Sequence, residues 1–302
     1  MSRLLNANFA RLFKSKLFWI SAAVSFAFAL IGAIKCAVES GGVFPHPEES
    51  LFKSSGMLLM FCETILVGAF VGAEHGGALL NKIISGKTRT EIFLANAITC
   101  SAAAAMLQFV YIAATFPAGL IFGGKFMLSF GEIALYELLQ LLSLVEMCVI
   151  TSTVSLLFQQ KFSGTLWSIV LIIILWILGS FVSSKVGSLK YSASSIFNDA
   201  IMIQIERTDI TEEERLQISI LESVRDILPS EQQNQIKDSF YNAFGHEAYS
   251  VPTHTDDEEK RLFGDTKYTK IPMPLEILPY SLGMIAATTA VGVLIFRKKD
   301  IK

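Results

Sequence analysis

The stretch 163–183, SGTLWSIVLIIILWILGSFVS, runs for 21 residues without one ionisable side chain. A helix of about 20 residues rises roughly 30 Å, the thickness of a bilayer's hydrocarbon core. Ile169, Ile172, Ile173, Ile174, Trp176 and Ile177 supply apolar surface all round such a helix, so its surroundings are lipid or a large core. Outward from it lie five more runs of comparable length, near 17–35, 55–73, 95–122, 133–158 and 277–296. Each is bounded by charge or turn residues. The expected architecture is therefore an all-α integral membrane protein with six transmembrane helices. A β-barrel is excluded, because barrel strands alternate apolar and polar residues over about ten positions and these runs are continuous.

Composition agrees. The chain has 302 residues, 52% hydrophobic and 17% charged, with a mean hydropathy of +0.51, which sets it apart from water-soluble domains. Cys36, Cys62, Cys100 and Cys148 are spread singly with no CxxC pair, which reads as small core residues and not as a disulfide or metal framework. The first apolar run is too long for a signal-peptide core, so it is expected to remain as an anchor.

Lys and Arg set the orientation. Arg3, Arg11, Lys14 and Lys16 precede the first span, and Lys82, Lys87 and Arg89 lie between the second and third. Lys161 separates the fourth and fifth, and Arg297, Lys298, Lys299 and Lys302 close the chain. All fall on one side, which the positive-inside tendency makes cytoplasmic together with both termini. The 43–50 loop carries Glu48 and Glu49, and segment 184–276 holds 17 acids against 10 Lys and Arg, a balance of −7. Both belong outside. The chain thus divides into a membrane part over 1–183, an extracellular helical module over 184–276, and a last span with a basic tail over 277–302.

Leu4, Leu5, Phe9, Leu12 and Phe13 recur at helical spacing beside Arg3, Arg11, Lys14 and Lys16, which suits an interfacial amphipathic helix. In the outer module, Thr211 and Glu214 form a capping box ahead of Leu216, Ile220, Val224, Ile227 and Leu228. Ser230 with Gln233 repeats the box before Ile236, Phe240 and Phe244, and Gly245 stands where a helix would end. From His246 to Lys270 the chain turns polar, with the acidic run 256–259, and reads as a mobile loop.

No catalytic signature withstands inspection. Gly86-Lys87-Thr88 ends like a phosphate-binding loop, but Asn81 stands where its first glycine is needed and no strand precedes it. His246-Glu247 is followed by histidine only at His254, not one helical turn on, and His46 and His75 fall on opposite sides of the membrane, so no metal site is expected. Glu63 in the second span and Glu146 in the fourth are the informative charges, since an ionisable group at bilayer depth costs several kcal/mol unless it faces protein or water. Ser143, Glu146 and Thr153 share part of one helix face, and Ser101, Gln108 and Thr115 recur every seven residues. Glu63 and Glu146 read equally as a conduit lining or as interhelical bonding, whereas the hydroxyl and amide stripes read rather as interhelical hydrogen bonds, which the small residues Gly68, Gly72 and Gly76 would also favour.

Segment 74–94, EHGGALLNKIISGKTRTEIFL, opens with an acid and glycines, continues through Leu79, Leu80, Ile83 and Ile84 as a short amphipathic helix, and breaks at Gly86 before Thr88-Arg89. It resembles the loop between the first two core helices of ABC-2 type exporter permeases, in which this pattern forms the coupling helix. The basic amphipathic start, six spans, late outer insertion, the Leu228-Pro229-Ser230 step and the ending Gly292–Asp300 resemble the same family in outline. The chain departs from it where Asn96 stands near a position often occupied by lysine. The resemblance implies the transmembrane subunit of an ATP-driven exporter in a bacterial plasma membrane. It would pair with a second permease copy and with cytoplasmic ATP-binding cassette subunits that hold ATP and Mg; no cofactor, catalytic residue or nucleic-acid contact is expected on this chain. Glu74, Leu79, Lys82, Ile83, Gly86, Lys87 and Arg89 would couple to the ATPase, and Glu63, Glu146, Ser143 and Gln108 would line the path. The acidic module favours an amphipathic or cationic cargo, such as a peptide toxin or a drug. Two other classes remain open: an ion-coupled secondary transporter using an intramembrane glutamate, and a membrane-anchored sensor or immunity protein.

Overall fold

A computed structural model describes residues 1–39, 51, 55–75, 78–121, 128–158, 161–197, 201–206, 210–248 and 274–298. Ten helices and a two-stranded sheet are named below from this set: α1 (Ser2–Lys14), α2 (Lys16–Glu39), α3 (Ser55–Gly72), α4 (Ala78–Ile84), α5 (Arg89–Ile121), α6 (Phe130–Leu157), α7 (Lys161–Lys190), β1 (Tyr191–Phe197), β2 (Ile201–Glu206), α8 (Glu212–Ile227), α9 (Pro229–Ala248) and α10 (Ile277–Lys298).

Five of these helices, α2, α5, α6, α7 and α10, are long and apolar enough to cross a membrane, which is compatible with a multi-pass membrane protein. The sixth expected run is α3, 18 residues long and so rising about 27 Å. Within the bundle, 56% of the apolar window of α6 is buried, against 22% for α7 and 17% for α10. That puts α6 at the centre and leaves α7 and α10 at the periphery. Ile173, Ile174, Ile177 and Phe181 of α7 accordingly lie exposed while Ile172 and Val182 face in. Gly68 lets α3 come close to α7: a Cβ there would sit 3.0 Å from the Cα of Thr165.

Ser15, extended at φ −73° and ψ 122°, separates α1 from α2. α1 buries Leu4, Asn8 and Leu12, and Leu5 and Phe9 pack on the core, as its spacing predicts. Phe13 is left half-exposed beside Trp19, whose Nε1 donates to the Phe13 carbonyl at 2.8 Å.

The module between α7 and α10 differs from an all-helical one at its start. β1 and β2 pair antiparallel, with Tyr191 opposite Glu206 and an irregularity between Ser194 and Phe197. Ile201, Ile203 and Ile205 alternate at the strand period of two. The capping box of Thr211 and Glu214 forms as expected, with both reciprocal bonds present. The one expected at Ser230 does not. Pro229 occupies the first helical position of α9, where its missing N–H costs nothing, and Ser230 and Gln233 turn instead to the bundle. Gly245 lies inside α9 and does not end it. Most of the polar stretch 246–270, the 43–50 loop and Lys299 to Lys302 lie outside the described residues.

α9 runs antiparallel to α6 as a ladder of contacts. Ser143 Oγ donates to the Pro229 carbonyl at 3.0 Å, Gln233 Nε2 donates to the Gln140 carbonyl at 3.1 Å, and the Tyr136 and Ser239 hydroxyls meet at 3.1 Å. The α8–α9 elbow therefore reaches deepest at Pro229, and α9 climbs back toward the end of the bundle where α6 begins. Ile236 seals this wall in a small core with Ile133, Tyr136, Leu139 and Ile277.

Candidate functional site

Two polar constellations stand out, one at an end of the bundle and one midway along α6. At the end that carries α1 and α4, the Glu74 carboxylate is fully buried in a 3-10 turn that follows α3. Its Oε1 pairs with Arg11 at 2.8 Å and with the Lys82 ammonium, and its Oε2 accepts from Asn96 Nδ2 at 2.7 Å. Asn8 closes the ring: its Nδ2 donates to Asn96 Oδ1 at 2.8 Å, and its Oδ1 accepts from Lys82 Nζ at 3.0 Å. The Arg11 guanidinium also lies 3.9 Å over the Phe70 ring. Four segments, α1, the turn after α3, α4 and α5, are thus tied by one carboxylate. Burial pushes the Lys82 ammonium below its usual value, against the pull of Glu74.

This knot fixes how α4 is presented. Leu79 is buried and Ile83 half-buried, whereas Leu80 is 51% and Ile84 75% exposed. Gly86 follows at φ +79°, a left-handed conformation that glycine adopts without strain. Thr88 then caps α5 in a reciprocal box with Glu91: the Thr88 amide donates to Glu91 Oε2 at 3.0 Å and the Glu91 amide to Thr88 Oγ1 at 3.2 Å. Arg89 Nη1 donates to the carbonyl of Arg297 at 3.1 Å, and at 3.4 Å to that of Phe296, where α10 ends. Of the basic residues that the loop was expected to offer to a partner, Lys82 and Arg89 are therefore engaged within the chain. Lys87 is half-buried. Asn8 gave no sign in the sequence, and Asn96, which had only marked a departure, proves central.

Midway along α6, the elbow inserts the first turn of α9 between α6, α7 and α10. Gln232 sits fully buried at its tip. Its Nε2 donates to Glu146 Oε2 at 3.1 Å and to the Asp226 carbonyl at 2.8 Å, and its Oε1 accepts from Ser281 Oγ at 2.8 Å. Glu231, 1% exposed, accepts from Ser183 and from Asn234 Nδ2. Ser230 Oγ donates to the Leu175 carbonyl at 3.3 Å.

Glu63 and Glu146 are both buried, yet the fold does not bring them together. Glu146 faces the elbow; Glu63 faces Cys148, two positions along α6 and so on its opposite side. Among the described residues neither Glu63 oxygen has a hydrogen-bond partner. Gln108 Nε2 donates to the Glu137 carbonyl and carboxylate at 2.8 and 2.6 Å, a bond between α5 and α6. Thr115 and Thr153 bond back to carbonyls of their own helices. Among the described residues there is no cluster of three or more His, Cys, Asp or Glu that could hold a metal. No protein-family model and no curated protein matches the chain.

Proposed function

We propose that the chain is the membrane subunit of an ATP-driven exporter, crossing a bacterial plasma membrane six times with both termini in the cytoplasm. The observation that carries the reading is α4: a helix rooted by the buried Glu74 knot that holds Leu80 and Ile84 out in water. Exposed apolar side chains on a rigid, short helix suit the groove of a soluble partner, and the ABC-2 resemblance makes that partner an ATP-binding subunit. Lys82 and Arg89 then serve to brace the loop, while Leu80 and Ile84 make the contact. Glu74, Leu79, Ile83 and Gly86 shape it. On this orientation the elbow closes the outer mouth of the bundle, with Gln232 resting on Glu146.

The test is purification from the native host with detergent. A cytoplasmic ATPase is expected to co-purify with the wild-type chain and to be lost with Leu80→Glu plus Ile84→Glu, at unchanged membrane insertion. Recovery of the wild-type chain alone would refute the reading.

One observation favours a second reading. The Glu63 carboxyl, buried beside Cys148 and without a geometric hydrogen bond among the described residues, is the kind of group an ion-coupled transporter uses. That class predicts transport driven by a pH gradient in vesicles without ATP, lost in Glu63→Gln.

A further inference from the structure

α8 is amphipathic, yet it turns its apolar stripe away from the protein. Leu216, Ile220 and Val224 are exposed, whereas Glu222 and Arg225 are half-buried and Asp226 is buried. A surface helix in water does the reverse. The inward charges have partners: Glu222 pairs with Lys190 at the end of α7, and Asp226 with Arg225 at 3.5 Å. Asp226 Oδ1 also accepts from Gln235 Nε2 at 2.9 Å.

Depth accounts for this inversion. The turn between α8 and α9 meets two long helices at their midpoints. Ser143, which donates to the Pro229 carbonyl, is 13 residues from the start of α6 and 14 from its end. Leu175, whose carbonyl accepts from Ser230, is 14 and 15 residues from the ends of α7. Where α6 and α7 cross a bilayer, Pro229 therefore lies near its mid-plane, and α8 traverses one leaflet, whose hydrocarbon is about 15 Å thick. Counted back from Pro229 at about 1.5 Å per residue, that thickness ends near Ser219. The exposed side chains of α8 change character at that residue. Before it, Glu212, Glu213, Arg215 and Gln217 are exposed together with Leu216; between 220 and 228 the exposed residues are Ile220 and Val224 alone. Phe181 of α7, six residues beyond Leu175, is exposed at the same level as Val224, five residues from Pro229, so the two helices share one continuous apolar belt.

We infer that α8 is a lipid-facing half-membrane helix: Ile220 and Val224 contact acyl chains of the outer leaflet, Leu216 lies at the headgroup boundary, and the elbow is held at mid-bilayer. Segment 220–236 then lies within the membrane and not in an extracellular module. This rests on the membrane placement proposed above and is independent of any ATPase.

A nitroxide label placed singly by Ile220→Cys, Val224→Cys, Glu213→Cys or Ile177→Cys tests it, in the full-length chain with its four native cysteines replaced by alanine and held in nanodiscs. The reading is the ratio of relaxation by molecular oxygen, which enters hydrocarbon, to relaxation by a nickel chelate, which stays in water. The ratio is expected above one at Ile220, higher still at Val224, and below one at Glu213. Ile177, exposed on α7, controls for the membrane itself and should resemble Val224. Ratios below one at Ile220 and Val224 with Ile177 above one would overturn the inference and leave the membrane placement standing. Ratios below one at all three would remove both. Protection from both reagents at Ile220 and Val224 would mean a protein neighbour, such as a second copy, and would equally overturn it. Should the alanine background not fold, benzoylphenylalanine in place of Ile220, with the native cysteines kept, decides the same question on irradiation. A phospholipid adduct is expected; a protein adduct, or none, would refute the lipid contact.

Discussion

Replacing Glu74 by alanine tests whether one buried carboxylate holds the α1–α4–α5 end of the bundle together. Removing one member of a buried ion pair costs roughly 3–5 kcal/mol, because the surviving charge stays desolvated. Here the survivors have an escape: the Arg11 side chain is 31% exposed and that of Lys82 16%, so both can turn toward water. That discount places the ionic part at the low end, about 3 kcal/mol. Asn96 cannot escape. It is fully buried, and its Nδ2 loses its acceptor, adding about 1–3 kcal/mol. The expected loss for Glu74→Ala is therefore about 4–6 kcal/mol. Glu74→Gln keeps an acceptor for Asn96 and should cost about half as much. Reversible unfolding in mixed micelles, followed by tryptophan fluorescence over a range of denaturing detergent, measures both. Arg3→Gln, on the exposed side of α1, is the control and should stay within about 0.5 kcal/mol of wild type. A Glu74→Ala protein as stable as that control would refute the account of the knot.

Gly292→Val should destabilise by about 1–3 kcal/mol or more, since a Cβ at that position runs into the Phe93 ring and the Thr153 hydroxyl; the same unfolding measurement reads it, and a neutral result would mean that α10 does not pack on α5 and α6 as described. Gln232→Ala leaves Glu146 and Ser281 without their buried partner, at about 1–3 kcal/mol, and should raise amide hydrogen exchange across 229–236 while leaving α1 protected. Paired cysteines at Ser143 and Ser230, next to the 3.0 Å contact of Ser143 with Pro229, should cross-link in membranes with a short bifunctional reagent. Failure to cross-link in every condition would remove the elbow from the bundle.

The long apolar helices are legible because a run of apolar residues writes its own length directly into the chain. The Thr211–Glu214 cap and the amphipathic face of α1 are likewise local and need no tertiary information. The Thr88–Glu91 box is equally local, three residues apart and closed by reciprocal bonds. The knot is different in kind. Asn8 and Asn96 lie 88 positions apart, and an asparagine in a helix carries no sign of which distant amide it will meet. Lys82 and Arg89 read as docking charges because a sequence shows that a cation is near a loop but not that an intramolecular carboxylate or a helix C-terminus has already claimed it. Ser230 and Gln233 matched a capping pattern, yet burial turned their side chains toward Leu175 and Gln140; a tertiary acceptor outcompetes a local one when the site excludes water. Glu63 and Glu146 were expected to line one path because both are acids within apolar runs. On α6 their partners lie on opposite sides, Glu63 meeting it at Cys148 and Glu146 pointing to the elbow.

The two polar constellations are joined by contacts that can be followed residue by residue. Asn96 receives the knot on α5; twelve residues along the same helix, about 18 Å on, Gln108 bonds to Glu137 of α6. Glu137 is flanked on α6 by Tyr136 and Gln140, and these are the residues that hold α9 through Ser239 and Gln233. A displacement of α4 would reach α5 through Lys82, Glu74 and Asn96, and Gln108 would pass it to the helix on which the elbow rests. On the proposed reading, a partner that pushes on Leu80 and Ile84 would act, through these bonded segments, on the same α6 that carries Glu146 beneath Gln232.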